Sequence, residues 1–177
     1  MKKTVIFLSI LIFQSLSFAS DIKLEDLKFD QSDLKVDAKK KEILEKRVSM
    51  LDTHQTLGYV TAGLLTASMI TGKEGEVTDA HKYLGIAAGL SYYATAYYAI
   101  KAPEVEGSEH KGASLWHKRL AWVHGPAMLM VPVLGLLAER QLDKGEKIHG
   151  IAKLHKPVAA VAFYSFLSSL AVITFDF

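Results

Sequence analysis

The 177-residue sequence contains no cysteine. Without thiols the chain forms no disulfide, holds no iron–sulfur cluster or thiolate-bound metal, and attaches no c-type haem covalently. With only 4 prolines and 12 glycines, the composition is not that of a low-complexity chain. The 21 basic and 19 acidic side chains nearly cancel, and the basic ones lie in short loops and one tail. No nucleic-acid partner is therefore predicted.

Charge is also missing from five long stretches of the chain: residues 4–20, 53–72, 83–100, 120–138 and 157–175. A soluble domain spreads charges along its amphipathic elements, whereas a membrane-spanning helix needs roughly 20 mostly apolar residues to cross a core of about 30 Å. Short connections between the last four stretches make neighbouring helices antiparallel. The predicted fold is an all-α membrane protein: an up-down-up-down four-helix transmembrane bundle with an exported N-terminal helical tail.

The first stretch has the pattern of a secretory signal. Lys2 and Lys3 precede an apolar run over residues 5–13, and the small residues Ser17 and Ala19 are typical of a cleavage site. We predict a signal peptide over residues 1–19, with an uncleaved anchor as the alternative. Residues 20–52 then form an exported polar tail, helical over residues 38–51, and residues 53–177 form the transmembrane domain. This predicts a bacterial-type inner-membrane protein whose tail lies outside the cytoplasm.

The histidines repeat in register with the last four charge-free stretches. Four of the seven histidines stand at the start of such a stretch, and each has a small residue four positions later, on the same helix face. The pairs are His54 and Gly58, His81 and Gly85, His117 and Ala121, and His155 and Ala159. Gly85 and Gly89 also form a GxxxG pattern. Small residues either allow close helix packing or leave a slot for a flat cofactor, and both explanations stay open.

The antiparallel topology brings these histidines together two by two. Helices one and three enter the membrane from the same side, which places His54 and His117 at one depth near the outer face. His81 and His155 lie near the inner face by the same reasoning. Two imidazoles at one depth can bind one iron from opposite sides of a porphyrin. This predicts two non-covalent b-type haems with bis-histidine ligation, and no catalytic residue.

Two other histidines are rival ligands. His124 shares a helix face with His117, and His149 precedes His155. The residues four positions later, Met128 and Lys153, are large, so neither rival has a slot beside it.

This arrangement resembles the four-helix core of the cytochrome b561 superfamily. Ser114-Leu115-Trp116-His117 is similar to the Ser-Leu-His opening of a core helix there, with one residue inserted, and the resemblance covers about residues 52–175. It implies electron transfer across the membrane between a donor and an acceptor on opposite faces. Ascorbate, a quinol or another small reductant is the implied donor class, and a periplasmic redox protein is a possible partner. Many members have six helices, and no basic-aromatic segment marks an ascorbate site here.

Other chemistries find less support in the sequence. The predicted spans contain no carboxylate, which excludes a di-iron Glu/His bundle, and there is no HExxH, P-loop or GxSxG motif. An electron-transfer cytochrome would act as a transmembrane oxidoreductase. Two alternatives stay open: a histidine-lined transporter of protons or metal ions, and a non-redox membrane anchor whose tail docks a partner.

Overall fold

The structure, a computed structural model, describes residues 38–105 and 111–175. The predicted signal peptide and residues 20–37 of the predicted tail lie outside the described residues. The described part contains four α-helices: α1 (Ala38–Thr71), α2 (Asp79–Lys101), α3 (Gly112–Asp143) and α4 (His155–Phe175). A short 3₁₀ helix, Gly150–Leu154, precedes α4, and this part of the chain has no strand beyond an isolated bridge between Lys73 and Glu76. The all-α prediction is confirmed, and the packing described below lies within residues 42–175.

The helix ends follow from local chemistry. Thr78 caps α2, because its hydroxyl oxygen accepts a hydrogen bond from the His81 backbone N–H at 3.2 Å. Gly145, with φ of +70°, lies just beyond α3, in the left-handed region that glycine adopts at little cost. Helix α3 extends beyond its charge-free run at both ends, so the connections on either side are shorter than predicted. The absence of charged residues identifies only the apolar part of the helix. The helix itself is longer, because its backbone hydrogen bonds continue into the charged residues on either side.

Among the described residues, several hydroxyl side chains are buried while many large apolar side chains are exposed. The largest fully buried side chains are those of Thr61 and Ser169. Large apolar side chains face outward, with Ile70 78%, Ile100 77% and Trp122 76% exposed. Soluble proteins bury isoleucine and leave hydroxyl-bearing residues mostly at the surface.

Two helical segments, Gly112–Asp143 and Gly150–Phe175, are long and apolar enough to cross a membrane. Their most apolar stretches have mean hydropathies of 1.7 and 2.0. The second half of the chain thus has two candidate spans.

A proline in α3 creates one contact between helices. Pro132 has no N–H, so the Met128 carbonyl four residues earlier loses its donor within the helix. The Tyr93 hydroxyl of α2 donates to that carbonyl at 3.4 Å. Helix α2 therefore contacts α3 where the proline leaves a carbonyl free.

The interior contains a small apolar cluster that offers a test of the packing. Phe166 is 6% exposed, and its ring centre lies 5.9 Å from that of Tyr92 and 5.3 Å from that of His124. We expect Phe166→Ala to lower the free energy of unfolding by about 3–5 kcal/mol, because the cavity cannot refill completely. Tyr164→Ala, two residues away at a 65% exposed position, should cost far less. Denaturant unfolding in detergent micelles measures both, and equal losses would contradict the packing.

Candidate functional site

The four histidines that begin the charge-free runs meet in two pairs. The ring centres of His54 in α1 and His117 in α3 are 5.9 Å apart, with an interplanar angle of 87°. Those of His81 in α2 and His155 in α4 are 6.0 Å apart, at 88°. Metal–imidazole bonds of about 2.0–2.1 Å on each side of one ion, plus the radius of each ring, place ring centres roughly 6 Å apart. The ring-centre distance in each pair matches this value, and it also lies within the 4.5–7 Å of an edge-to-face contact between two rings.

Every imidazole in these pairs is tethered through the same atom. Nδ1 lies 2.8–3.1 Å from a backbone carbonyl oxygen of another helix. The contacts are His54 with Thr95, His81 with Ser68, His117 with Ser169, and His155 with Val131. A carbonyl only accepts, so Nδ1 carries the proton and Nε2 keeps its lone pair. Histidines that bind metals in proteins almost always donate their other N–H in this way.

The tethers follow a single spacing along the chain. Each acceptor stands fourteen residues after the paired histidine of its own helix: Ser68 after His54, Thr95 after His81, Val131 after His117, and Ser169 after His155. Each carbonyl accepts from a histidine of the antiparallel neighbouring helix. Helices α1 and α2 exchange one such contact in each direction, and so do α3 and α4. At 1.5 Å per residue, fourteen residues separate the two histidine levels by about 21 Å along the helices.

A cavity lies beside the pair formed by His81 and His155. Its volume is about 280 Å³, near the lower end of the roughly 300–1,000 Å³ that typical ligand pockets measure. The small residues in its walls include Gly85, Gly89, Ala159 and Ala162. Gly85, Gly89 and Ala159 are thus at positions where a planar group bound by the two histidines would lie.

The glycines distinguish the slot from simple helix packing. Gly58 is buried, yet a Cβ built on it would meet no atom within 4 Å. At the half-buried Gly89 a Cβ would also meet no atom within 4 Å, whereas at Gly85 the nearest atom is the Ser68 hydroxyl oxygen at 3.5 Å. Close packing of helices predicts tight contacts at such glycines. The room at Gly58 and Gly89 favours a slot instead, and Ala121, on the same helix as His117, is half-buried.

Two further glycines contact the imidazoles, and the sequence reasoning missed both. A Cβ on Gly135 would lie 3.0 Å from Cε1 of His155, and one on Gly72 would lie 3.2 Å from Nδ1 of His81. Gly135 stands four residues after Val131, whose carbonyl contacts His155. Gly72 stands four residues after Ser68, whose carbonyl contacts His81. The missing side chain lets the imidazole reach that carbonyl. Gly135 stands eighteen residues after His117, and Gly72 stands eighteen residues after His54. This shared spacing could have identified both glycines from the sequence.

The two rival histidines lie apart from the pairs. His124 is 6% exposed; its Nδ1 lies 2.9 Å from the Tyr92 hydroxyl, and its ring packs against Phe166. It stands seven residues after His117, about halfway between the two histidine levels. His149 lies in the exposed connection before α4, where its Nε2 is 3.3 Å from a Glu146 carboxylate oxygen. Within the described ranges, contacts between histidine rings occur only in the two pairs.

An ion pair borders the cavity. Lys82 Nζ lies 2.6 Å from Glu139 Oε1 and links α2 to α3. The Glu139 carboxylate accepts this hydrogen bond and raises the pKa of Lys82 above its ordinary value. Both side chains line the cavity, so its edge is charged while most of its wall is apolar.

Each pair brings two imidazole rings together. Within residues 38–105 and 111–175, no group of three or more His, Asp or Glu side chains comes together as a metal site. Two imidazoles on opposite sides complete the coordination of an ion that a planar tetradentate ring already holds. Comparison with protein-family models, with curated proteins and with solved structures finds no match.

The tethers predict one tautomer for all four paired histidines. Nitrogen NMR of the histidine-labelled protein should show a protonated Nδ1 and an unprotonated Nε2 for His54, His81, His117 and His155. His149 is the internal comparison, since its Nε2 lies 3.3 Å from a Glu146 carboxylate oxygen, which only accepts, so its proton is expected on Nε2. An unprotonated Nδ1 in a paired histidine would contradict the tether at that ring.

Proposed function

We propose that this chain is a membrane b-type cytochrome that carries electrons across the bilayer through two non-covalent, bis-histidine haems. The observation that carries the proposal is the geometry of the two histidine pairs, with ring centres 5.9 and 6.0 Å apart and every Nδ1 on a backbone carbonyl. Each haem, when bound, would supply a one-electron Fe(III)/Fe(II) couple. Two axial imidazoles leave no open position at the iron, which favours electron transfer over oxygen chemistry.

Different residues of the chain would bind and position the two haems. His54 and His117 would bind one haem iron, and His81 and His155 the other. The carbonyl tethers keep the proton on Nδ1, so the Nε2 lone pair of each ring is available to bind iron. The small residues would leave room for the two macrocycles: Gly58 and Ala121 at one level, Gly85, Gly89 and Ala159 at the other.

We propose further that all four helices cross the membrane. Besides the two apolar segments of the second half, α1 and α2 contain the charge-free runs 53–72 and 83–100, and they also direct large apolar side chains outward. Leu90, for example, is 66% exposed, as suits a lipid-facing surface. A separation of about 21 Å between the histidine levels fits inside a hydrocarbon core of about 30 Å. One pair would then lie near each face, with the tail outside the cytoplasm.

This placement defines the partners. An electron donor would approach one face and an acceptor the other, with a quinol or small reductant and a periplasmic redox protein as the candidate classes. Between the two levels, Tyr92, Met128 and Phe166 form a packed core. A packed core supports transfer of electrons over movement of hydrated ions, which need a continuous polar path.

The visible absorption spectrum of the purified protein tests the proposal. Purified from membranes with haem supplied, the chain should show a b-type reduced-minus-oxidised spectrum, and a pyridine haemochrome assay should give about two haems per chain. His81→Ala and His155→Ala should each remove one centre, and His54→Ala and His117→Ala should each remove the other. His149→Ala is the matched control and should retain both. A colourless preparation, or a paired-histidine variant that keeps both centres, would contradict the proposal.

Gly135→Ala tests the site without removing a ligand. The added methyl would lie 3.0 Å from the His155 ring, so the ring must move away from the Val131 carbonyl. We expect haem affinity at the His81–His155 level to fall by roughly 10- to 100-fold, as when outer partners of metal ligands are lost. Gly63→Ala is the control, because its Cβ meets no atom within 4 Å. Both changes favour helix by about 1 kcal/mol. Unaltered affinity in Gly135→Ala would be the contrary result.

A further inference from the structure

Several hydroxyl side chains in these helices bond to their own helix. Thr61, Thr66, Thr71 and Thr95 each donate to the carbonyl four residues earlier, at 2.7–2.9 Å. This is the ordinary behaviour of threonine and serine within a helix. Two serines depart from it, since Ser68 and Ser169 direct their hydroxyls to a histidine of the neighbouring helix.

Ser169 meets His117 with both of its oxygens. Its hydroxyl oxygen and its carbonyl oxygen each lie 2.9 Å from His117 Nδ1. The hydroxyl donates its own proton to the His117 backbone carbonyl at 3.2 Å, which leaves its lone pairs for the Nδ1–H. Ser169 is 1% exposed, so these contacts are shielded from solvent. The Nδ1 proton of His117 is therefore shared between two oxygens of one residue.

Ser68 repeats this arrangement at the other level. Its carbonyl oxygen lies 2.8 Å from His81 Nδ1, and its hydroxyl oxygen lies 3.4 Å from the same nitrogen and 3.5 Å from the His81 carbonyl. The opposite ring of each pair has a carbonyl tether alone. The Thr95 hydroxyl, beside His54, donates to the Ser91 carbonyl of its own helix instead, and Val131, beside His155, has no hydroxyl.

We infer that Ser68 and Ser169 are positioning residues, one for each haem, that fix the tautomer and ring plane of one axial histidine and raise its basicity. The inference rests on the proposed function. A second acceptor on Nδ1–H gives the imidazole more anionic character, and a more basic ligand stabilises Fe(III) relative to Fe(II). Each site thus has one strongly tethered ligand, His81 or His117, facing one held by a single carbonyl.

The redox test uses the full chain loaded with haem. Ser169→Ala should raise the midpoint potential of the His54–His117 centre and leave the other unchanged, whereas Ser68→Ala should do the reverse. Ser169→Thr restores the hydroxyl and should return the potential toward that of the unmodified protein. Ser165→Ala is the matched control on the same helix, because its hydroxyl donates to the Val161 carbonyl. It should shift neither potential.

Electron paramagnetic resonance gives a readout that packing alone would not change. Imidazole planes at 87° and 88° predict highly anisotropic low-spin ferric signals, since near-perpendicular ligand planes leave two iron d orbitals close in energy. Releasing the His117 ring by Ser169→Ala should alter only the signal of its own centre. Unchanged potentials and signals with both haems retained would overturn the inference.

Failure of the proposed function is distinguishable from failure of the inference. If the unmodified chain binds no haem, the function fails, and nitrogen NMR then tests the serine contacts alone. Ser169→Ala should shift the Nδ1 proton resonance of His117 and leave that of His54 unchanged. An unshifted His117 resonance would mean that the hydroxyl makes no hydrogen bond to the ring, and the inference would be wrong.

Discussion

The hydrogen bond from imidazole Nδ1–H to a carbonyl of the antiparallel neighbour is the interaction on which the rest of the structure depends. A polar ring placed among apolar side chains is costly unless its N–H finds an acceptor. A helical carbonyl has a second lone pair beyond its bond within the helix, and four such carbonyls receive the four paired rings. One contact therefore satisfies the ring, selects its tautomer and fixes the position of one helix along another.

Small and polar residues gather around these contacts, while large apolar residues face outward. Thr61, Ser68 and Ser169 are buried, and Ile70 and Trp122 are exposed. The interior of the described part thus combines hydrogen-bonded hydroxyl groups with an apolar cluster that contains Tyr92, Met128 and Phe166.

The sequence alone predicted much of the architecture. Charge-free runs located the helices, and the recurrence of histidine ahead of a small residue singled out four of the seven histidines, which the structure brings together two by two. It did not predict Gly72 or Gly135, because the slot argument examined only the residues that follow each histidine by one or two turns. None of the four acceptors was predicted, because any residue can provide a backbone carbonyl. They are Ser68, Thr95, Val131 and Ser169.

Two features required coordinates for a different reason. The interplanar angles depend on side-chain torsions set by the tethers, and no spacing in the sequence encodes them. The role of His124 depended on its contact with the Tyr92 hydroxyl, which lies on another helix. Sequence periodicity assigns a residue to a face of its helix, but the partner opposite that face emerges only from the packing of α2 against α3.

The fourteen-residue interval constrains how such a protein can vary. Inserting one residue between His81 and Thr95 would turn the helix beyond it by about 100° and lengthen it by about 1.5 Å. His81 and the Thr95 carbonyl could then no longer both face their partners, the Ser68 carbonyl and the His54 ring. The insertion would therefore disturb the contacts at both histidine levels. Length variation among homologous chains should therefore be confined to the connections, while the interval inside each helix stays constant.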